Sequence, residues 1–185
     1  MKFLNFLIII FISLTSSIKA DLNENLRNHL LEGEKIIFIR HAYAPGNGDP
    51  DNFNLNDCST QRNLSERGKI QSKNIGKFFE KNKIRFEKVL SSEWCRCKET
   101  ATLAFKSFET KNFLNSFYSL KFSENKKKQM QGLKKYVKKF KSKENLILIT
   151  HYIVISETLN YPPSSGEIVI SDKDFKIIGS IKINY

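Results

Sequence analysis

The chain has 185 residues, with 31 lysines and arginines against 19 acidic residues and a formal net charge of +12. This length suits one domain with a substantial core and is too short to predict two. Its 15 phenylalanines and many isoleucines and leucines exclude a disordered chain. The positive charge favours anionic partners such as phosphate esters, lipid head groups or nucleic acid.

Residues 1–20 have the pattern of a secretory signal peptide. Lys2 precedes an almost wholly apolar run from Phe3 to Leu14, and small and polar residues follow as far as Ala20. We predict cleavage after Ala20 and therefore a periplasmic or secreted protein. An uncleaved N-terminal membrane anchor is the alternative, because Ile18 is not the small residue usual two places before a cleavage site. The folded domain is expected in residues 21–185.

The remaining chain alternates predicted helices and strands. Apolar periodicity predicts helices over residues 21–31, 63–82, 94–108, 127–141 and 153–159. Short apolar runs predict strands over residues 35–39, 88–90, 146–150, 166–171 and 175–183. Ser65 is the predicted N-cap of the second helix, and residues 172–174 are the turn of a terminal hairpin. This alternation predicts an α/β fold, a three-layer αβα sandwich around a central, mostly parallel mixed sheet.

Two of the predicted strands run directly into histidines. The segment KIIFIRHAYA at residues 35–44 delivers Arg40 and His41, and the strand over residues 146–150 is followed by His151. Open α/β sheets bind their ligands at the carboxyl ends of parallel strands. A single histidine in such a place is usually structural, but two at matching ends, one preceded by arginine, favour a functional site. The polar segment 44–62 is long enough to be a functional loop covering that site.

The motifs around these histidines resemble the histidine phosphatase (phosphoglycerate mutase-like) superfamily. Arg40-His41-Ala42 is similar to its Arg-His-Gly motif, and NLSERGKIQ at residues 63–71 is similar to its Leu-Thr-x-x-Gly-x-x-Gln helix start. SSEWCRCKETA at residues 91–101 resembles its Ser-Ser-Pro-Leu-x-Arg-Ala-x-x-Thr-Ala block, and LITH at residues 148–151 matches its second histidine. One block alone would be weak, but four occur in the family's order across residues 35–170.

The resemblance implies the histidine phosphatase-like form of the α/β sandwich and a phosphatase that needs no metal or other cofactor. Arg40 and Arg96 would clamp the phosphoryl oxygens, for which the planar guanidinium fork is well suited. His41 would attack phosphorus and become phosphorylated, and His151 would donate a hydrogen bond to the transferring group. Water would then hydrolyse the phosphohistidine.

The acid that many relatives use to protonate the leaving group is not recognisable. Mutases carry it in a Leu-x-Glu segment, where this chain reads LNS at residues 114–116, and acid phosphatases place Asp where this chain has Tyr152. Glu124 and Glu167 are candidates by position only, Glu167 also for substrate binding, and Arg62 could reach substrate or tether its loop. Phosphohistidine phosphatases of the superfamily manage without the acid. Mutase activity and attack on poor alcohol leaving groups are therefore disfavoured.

The expected partner is a phosphorylated small molecule or an envelope glycolipid. The lysines between Lys121 and Lys143 could also contact an anionic membrane surface, although a solvated helix face is the simpler interpretation. Nucleic acid is not expected, because no aromatic platform interleaves with the basic residues. The missing acid leaves open a non-catalytic alternative, a phosphate-ligand-binding or envelope-associated protein of the same fold.

The three cysteines are Cys58, Cys95 and Cys97. Export would permit a disulfide, and Cys95 and Cys97 are too close to bond each other without strain. Cys58 with one of these two is the predicted bridge, which leaves one free thiol; three reduced thiols are the alternative. No cysteine spacing resembles a zinc site.

Overall fold

The computed structural model describes residues 23–185, so the predicted signal peptide lies outside the described residues. The helices are α1 (Glu24–Glu32), α2 (Glu66–Lys81), α3 (Cys95–Phe105), α4 (Leu120–Ser123), α5 (Lys126–Lys139) and α6 (Tyr152–Leu159). The strands are β1 (Ile36–Arg40), β2 (Phe86–Ser91), β3 (Glu109–Thr110), β4 (Asn145–Thr150), β5 (Ile168–Ser171) and β6 (Ile177–Ile181). In this part of the chain, no helix is both long and apolar enough to cross a membrane.

The six strands form one sheet in the order β3-β2-β4-β1-β5-β6. Strands β1 to β4 are parallel to their neighbours within this group, whereas β5 runs antiparallel to β1 and β6 antiparallel to β5. The predicted mixed, mostly parallel sheet is therefore confirmed. So is the terminal hairpin, whose turn is closed by the Asp172 carboxylate accepting from the backbone N–H groups of Asp174 and Lys176.

Each face of the sheet has its own apolar core. In β1, Ile37 and Ile39 pack into the core under α2 and α3, while Ile36 and Phe38 pack into the core under α5 and α6. Successive side chains of a strand point to opposite faces, so a run that is apolar at every position needs cover on both sides. This requirement produces the three-layer sandwich that the sequence predicts.

The second helix begins where its motif predicts. The Ser65 hydroxyl accepts from the backbone N–H of Gly68 at 3.3 Å and caps α2. A Cβ at Gly68 would overlap the carbonyl oxygen of Tyr43, so only glycine lets α2 approach the chain that leaves β1. Gln71 completes this attachment, because its Oε1 accepts from the Tyr43 backbone N–H at 2.9 Å. The motif therefore holds α2 against the segment after His41.

The segment over residues 109–125, where the sequence predicts neither a helix nor a strand, contains short regular pieces. The two-residue strand β3 pairs with β2 at the sheet edge, and the single-turn helix α4 follows a 3-10 turn at Asn112–Leu114. Both residues of β3 are exposed, so no apolar pattern marks them in the sequence.

Candidate active site

The two histidines leave the sheet side by side. Strands β1 and β4 are adjacent and parallel, and Arg40 pairs with Thr150, so His41 and His151 follow at the same edge. Their rings are almost fully buried, and their centroids are 5.5 Å apart in an edge-to-face arrangement. The structure thus brings the two strand-end histidines together at the carboxyl edge of the sheet.

Arg96 lies between the two histidines. It occupies the first turn of α3, the helix that follows β2 at the same sheet edge, and it is only 3% exposed. Its Nε donates to Nε2 of His41 at 3.2 Å, and its Nη2 lies 3.4 Å from Nδ1 of His151. One buried positive charge therefore contacts both imidazoles.

His41 is held with a free electron pair on the nitrogen that faces Arg96. Its Nδ1 lies 2.8 Å from the carbonyl oxygen of Ala42, which can only accept, so the ring proton is on Nδ1 and the lone pair on Nε2. Burial and the neighbouring Arg96 charge hold the pKa of His41 well below its usual value of 6.5. A neutral imidazole with an exposed lone pair is the form required of a nucleophile.

His151 is oriented by a chain of buried polar side chains. Its Nε2 lies 2.8 Å from the hydroxyl of Ser92, which donates to Oδ1 of Asn115 at 3.0 Å, and Asn115 in turn donates to Glu93 at 2.5 Å. Burial, and next the Arg96 charge, lower the pKa of His151 well below 6.5. A neutral His151 that donates from Nε2 to Ser92 presents an accepting Nδ1 to Arg96. The predicted donation to a phosphoryl group therefore requires a second proton on this ring.

Arg40 reaches the same cavity from the end of β1. Its Nη1 donates to the carbonyl oxygen of Pro163 at 2.9 Å, and its guanidinium carbon lies 5.4 Å from the centre of the Tyr152 ring. Within residues 23–185, its buried Nε has no hydrogen-bond partner. A buried donor without a partner is costly, so this N–H is available to an anion.

Asp49, which no sequence motif singled out, contacts Arg96 directly. The carboxylate accepts from Nη1 at 2.6 Å and from Nη2 at 3.1 Å, and Oδ2 also accepts from the indole N–H of Trp94 at 3.0 Å. Partial burial raises the pKa of Asp49, but the hydrogen bonds and charge of Arg96 outweigh this and leave the pKa below its usual value. No motif marked Asp49, because it lies in an irregular loop that contains several acidic residues.

Of the remaining candidates, the structure brings only Arg62 to the cavity. Arg62 is used to tether its loop, since Nε donates to Gly48 at 2.7 Å and Nη1 to Ala44 at 2.5 Å. Burial, followed by repulsion from Arg96, lowers the pKa of Arg62 to about 10. Glu167 is buried away from the cavity, where it accepts from Tyr161 at 2.6 Å and from Ser164 at 2.7 Å. Glu124 is exposed at the end of α4 and does not line the cavity either.

A disulfide fixes the loop over residues 44–62 beside Arg96. The bond joins Cys58 and Cys95, which confirms the predicted bridge and leaves Cys97 as the buried free thiol. Gln61 adds a second attachment, because its Oε1 accepts from the Cys95 backbone N–H at 2.9 Å. Burial raises the pKa of Cys97 to about 12, so this thiol is not ionised at neutral pH.

These groups surround one cavity of about 520 Å³. The Arg40, His41, Arg96 and His151 side chains form its polar floor, in which the two arginines carry the charge, and Asp49 and Arg62 stand beside them. Its apolar walls are aromatic and comprise Phe53, Trp94, Tyr118, Phe122 and Tyr152. Across the described residues, no group of three or more His, Cys, Asp or Glu side chains is arranged to hold a metal ion. The cavity therefore combines cationic groups at its base with a surface for an apolar or planar group.

Solved structures show which proteins this fold is similar to. The protein histidine phosphatase SixA, solved with tungstate, is 15% identical over 81% of this chain and 96% of that chain, with a TM-score of 0.53. Phosphoglycerate mutase from Thermus thermophilus is 14% identical over 81% and 99% of the two chains, with a TM-score of 0.55. A phosphoserine phosphatase mutant from Entamoeba histolytica, in complex with phosphoserine, is 14% identical over 74% and 89%, with a TM-score of 0.51.

The sequence itself matches no protein-family model and no curated protein. The structural matches establish the fold: this chain has the fold of the histidine phosphatase superfamily. The resemblance inferred from the four sequence motifs is confirmed at that level. Identities this low show the fold alone, and activity depends on the site that a fold carries.

Proposed function

We propose that this protein is a metal-independent phosphatase that hydrolyses phosphomonoesters through a phosphohistidine intermediate on His41. The observation that carries the proposal is the contact between the lone-pair nitrogen of His41 and the Arg96 guanidinium, on the floor of a cavity that also holds Arg40 and His151. The names of two structural neighbours, a protein histidine phosphatase and a phosphoserine phosphatase, agree with phosphatase chemistry.

In the first step, Nε2 of His41 forms a bond to phosphorus while the bond to the leaving oxygen breaks. Such transfers need little covalent help and depend on positioning and on charge stabilisation. The guanidiniums of Arg96 and Arg40 supply two fixed positive charges for the three phosphoryl oxygens. The Arg96 N–H that contacts His41 in the resting site is then free for one of these oxygens.

In the second step, water attacks the phosphorus, and the bond to His41 breaks. His151 contacts a terminal nitrogen of Arg96 and lies next to His41, where it can accept a proton or, once protonated, donate to a phosphoryl oxygen. The dianionic phosphoryl group favours the protonated form of His151, because a nearby negative charge raises a histidine pKa. Release of inorganic phosphate restores the resting site.

The proposed substrate is a phosphorylated small molecule or an envelope glycolipid, and the proposed location is the periplasm or the outside of the cell. Lys121 lines the cavity, and the lysine-rich segment that starts there continues along the exposed side of α5. A substrate with several negative charges could therefore contact both the cavity and this surface, as could an anionic membrane. Salt would weaken such a charge-driven contact.

A non-catalytic phosphate-binding protein is the second candidate. It is favoured by the absence of a carboxylate at residues 114–116, where Asn115 instead bonds to Ser92 and Glu93. The same absence disfavours mutase activity, so turnover of 3-phosphoglycerate to its isomer would contradict the phosphatase proposal.

The test is turnover of para-nitrophenyl phosphate in the presence of EDTA. The wild type should hydrolyse it, and His41→Ala should lose on the order of 1,000-fold or more in kcat, as expected for a nucleophile. The control is His29→Ala, since His29 lies on α1 outside the cavity. Turnover that survives in His41→Ala would overturn the mechanism. A wild type without turnover that still binds phosphate would support the second candidate.

A further inference from the structure

Two carboxylates line the cavity, and they differ in their exposure to solvent and in their contact with Arg96. Among the described residues that line it, Asp49 and Asp51 are the acidic ones. The Asp49 side chain is 14% exposed and contacts Arg96, whereas Asp51 is exposed at the rim. Glu167 and Glu124 lie outside the cavity, and Asp49 is the cavity acid that directly contacts Arg96.

In the resting site, the N–H groups of Arg96 are already engaged. The terminal nitrogens both donate to Asp49 and also approach His151 and the carbonyl oxygen of Arg62. A carboxylate held by a guanidinium fork has the same spacing as two oxygens of a phosphoryl group. A phosphoryl group that accepts from both terminal nitrogens of Arg96 must therefore take the place of Asp49.

The displaced carboxylate would stay close to the substrate. Asp49 lies in a loop that is held at Arg62 and at the Cys58–Cys95 disulfide. Gly46 and Gly48 both have positive φ, and a Cβ at Gly48 would meet nothing within 4 Å, so this short stretch has room to change its backbone. The movement is thus limited to the loop tip that carries Asp49.

The position of Asp49 relative to His41 also suits protonation of the leaving oxygen. Arg96 contacts His41 through Nε and Asp49 through its two terminal nitrogens, so the two residues approach different nitrogens of the same guanidinium. In an in-line transfer, the leaving oxygen points away from the attacking nitrogen. An acid that protonates this oxygen must reach it from a contact other than that of His41, and Asp49 holds Arg96 through nitrogens that His41 does not contact.

We propose, on the basis of the phosphatase function proposed above, that Asp49 is the catalytic proton donor to the leaving group and is stored on Arg96 until the phosphoryl group displaces it. Once displaced, Asp49 faces the phosphoryl charge without its cationic partner and takes up a proton from solvent. As the P–O bond breaks, its electron pair goes to the leaving oxygen, which takes the Asp49 proton. In the second step, Asp49 takes a proton from the attacking water, and the electron pair of the P–N bond returns to His41.

The test compares two substrates that differ in their need for an acid. An aryl phosphate such as para-nitrophenyl phosphate has a good leaving group, and an alkyl phosphate such as glycerol phosphate has a poor one. In Asp49→Asn, kcat/KM for the alkyl phosphate should fall about 100-fold, the usual contribution of a general acid. For the aryl phosphate, kcat/KM should rise, because the carboxylate that competes for Arg96 is gone.

Asp57→Asn is the matched control, since it removes the same charge from the same loop at an exposed position outside the cavity. It should change neither substrate's kcat/KM by more than about twofold, as expected for a surface substitution. An equal loss on both substrates in Asp49→Asn would show that Asp49 only positions Arg96, and it would overturn the proposal. No loss on the alkyl phosphate would overturn it as well.

A second measurement, which needs no turnover, tests whether Asp49 competes with phosphate for Arg96. Titration of inorganic phosphate into His41→Ala and into His41→Ala/Asp49→Asn should show about tenfold tighter binding in the double variant, because one competing negative charge is absent. Equal or weaker phosphate binding by the double variant would show that Asp49 does not compete with phosphate for Arg96. If His41→Ala kept the wild-type turnover, the phosphohistidine mechanism itself would be contradicted. If turnover required His41 but Asp49→Asn changed kcat/KM equally for both substrates, only the proposed role of Asp49 would be contradicted.

Discussion

Arg96 donates its Nε–H to Nε2 of His41 across 3.2 Å, although 55 positions separate the two residues in the sequence. The same guanidinium contacts His151 and Asp49 through its terminal nitrogens. Removing its planar fork would therefore disturb the nucleophile, the second histidine and the phosphoryl clamp at once. Arg96 is the residue that joins the parts of the candidate site.

We expect Arg96→Lys to lower kcat for para-nitrophenyl phosphate by about 100-fold or more, the usual effect of removing one preorganised donor. Lysine keeps the charge, but it cannot contact His41 and two phosphoryl oxygens with fixed geometry. Steady-state kinetics of the purified variant would measure the loss. Arg85→Lys is the matched control, because the Arg85 side chain is 79% exposed and should tolerate the exchange. Equal rates for the two variants would contradict the role of the fork.

We expect the hydroxyl of Ser92 to support catalysis by orienting His151. In Ser92→Ala, the Nε2 of His151 loses the hydroxyl at 2.8 Å and keeps the Cys97 sulfur at 3.5 Å, and Asn115 loses a donor. We expect kcat to fall about tenfold, because residues that orient a catalytic group through a hydrogen bond commonly contribute this much. The control Ser107→Ala changes an exposed serine and should leave kcat as it is. If Ser92→Ala keeps the full rate, the hydrogen-bond chain does not position His151.

The Cys58–Cys95 disulfide should stabilise the fold and the loop over residues 44–62. Its loss is expected to lower the free energy of unfolding by about 2–4 kcal/mol, the typical value for a native bridge of this separation. Urea unfolding with and without a reductant would measure the difference. Cys58→Ser should already show the lower stability and should not respond to the reductant. If the reductant did not change the free energy of unfolding of the wild type, this would contradict the presence of the bridge.

The two buried histidines predict that stability falls as the solution becomes acidic. The folded pKa of each lies well below 6.5, so below that pH the unfolded chain binds protons that the folded chain does not. The free energy of unfolding should therefore decrease by up to about 1.4 kcal/mol per pH unit for each histidine. Urea unfolding between about pH 7 and about pH 5.5 would measure this slope. His151→Gln should have a shallower slope than the wild type, and an equal slope would count against a buried neutral His151.

The framework of the site could be predicted from sequence because local patterns determine it. The apolar runs of β1 and β4 locate the strand ends, and parallel pairing then brings His41 and His151 together. The motif residues Gly68 and Gln71 act through backbone contacts next to the strand end, so their spacing is informative.

The position of Asp49 could not be predicted, because tertiary contacts determine it. The loop is held by the Arg62 tether and by the disulfide, and neither has a periodic pattern. The disulfide partner was also open, since both Cys95 and Cys97 lie in the first turn of α3. In a helix, residues two apart point to nearly opposite sides, and Cys97 points into the core while Cys95 faces the loop.

Trapping the phosphorylated protein tests the account most directly. The wild type would be mixed with para-nitrophenyl phosphate, quenched in base during turnover, digested and analysed by mass spectrometry. We predict one phosphoryl group on the peptide that contains His41, stable in base and lost in acid, and absent from His41→Ala. A phosphoryl group on His151, or steady turnover with no phosphorylated histidine at any time, would contradict the mechanism.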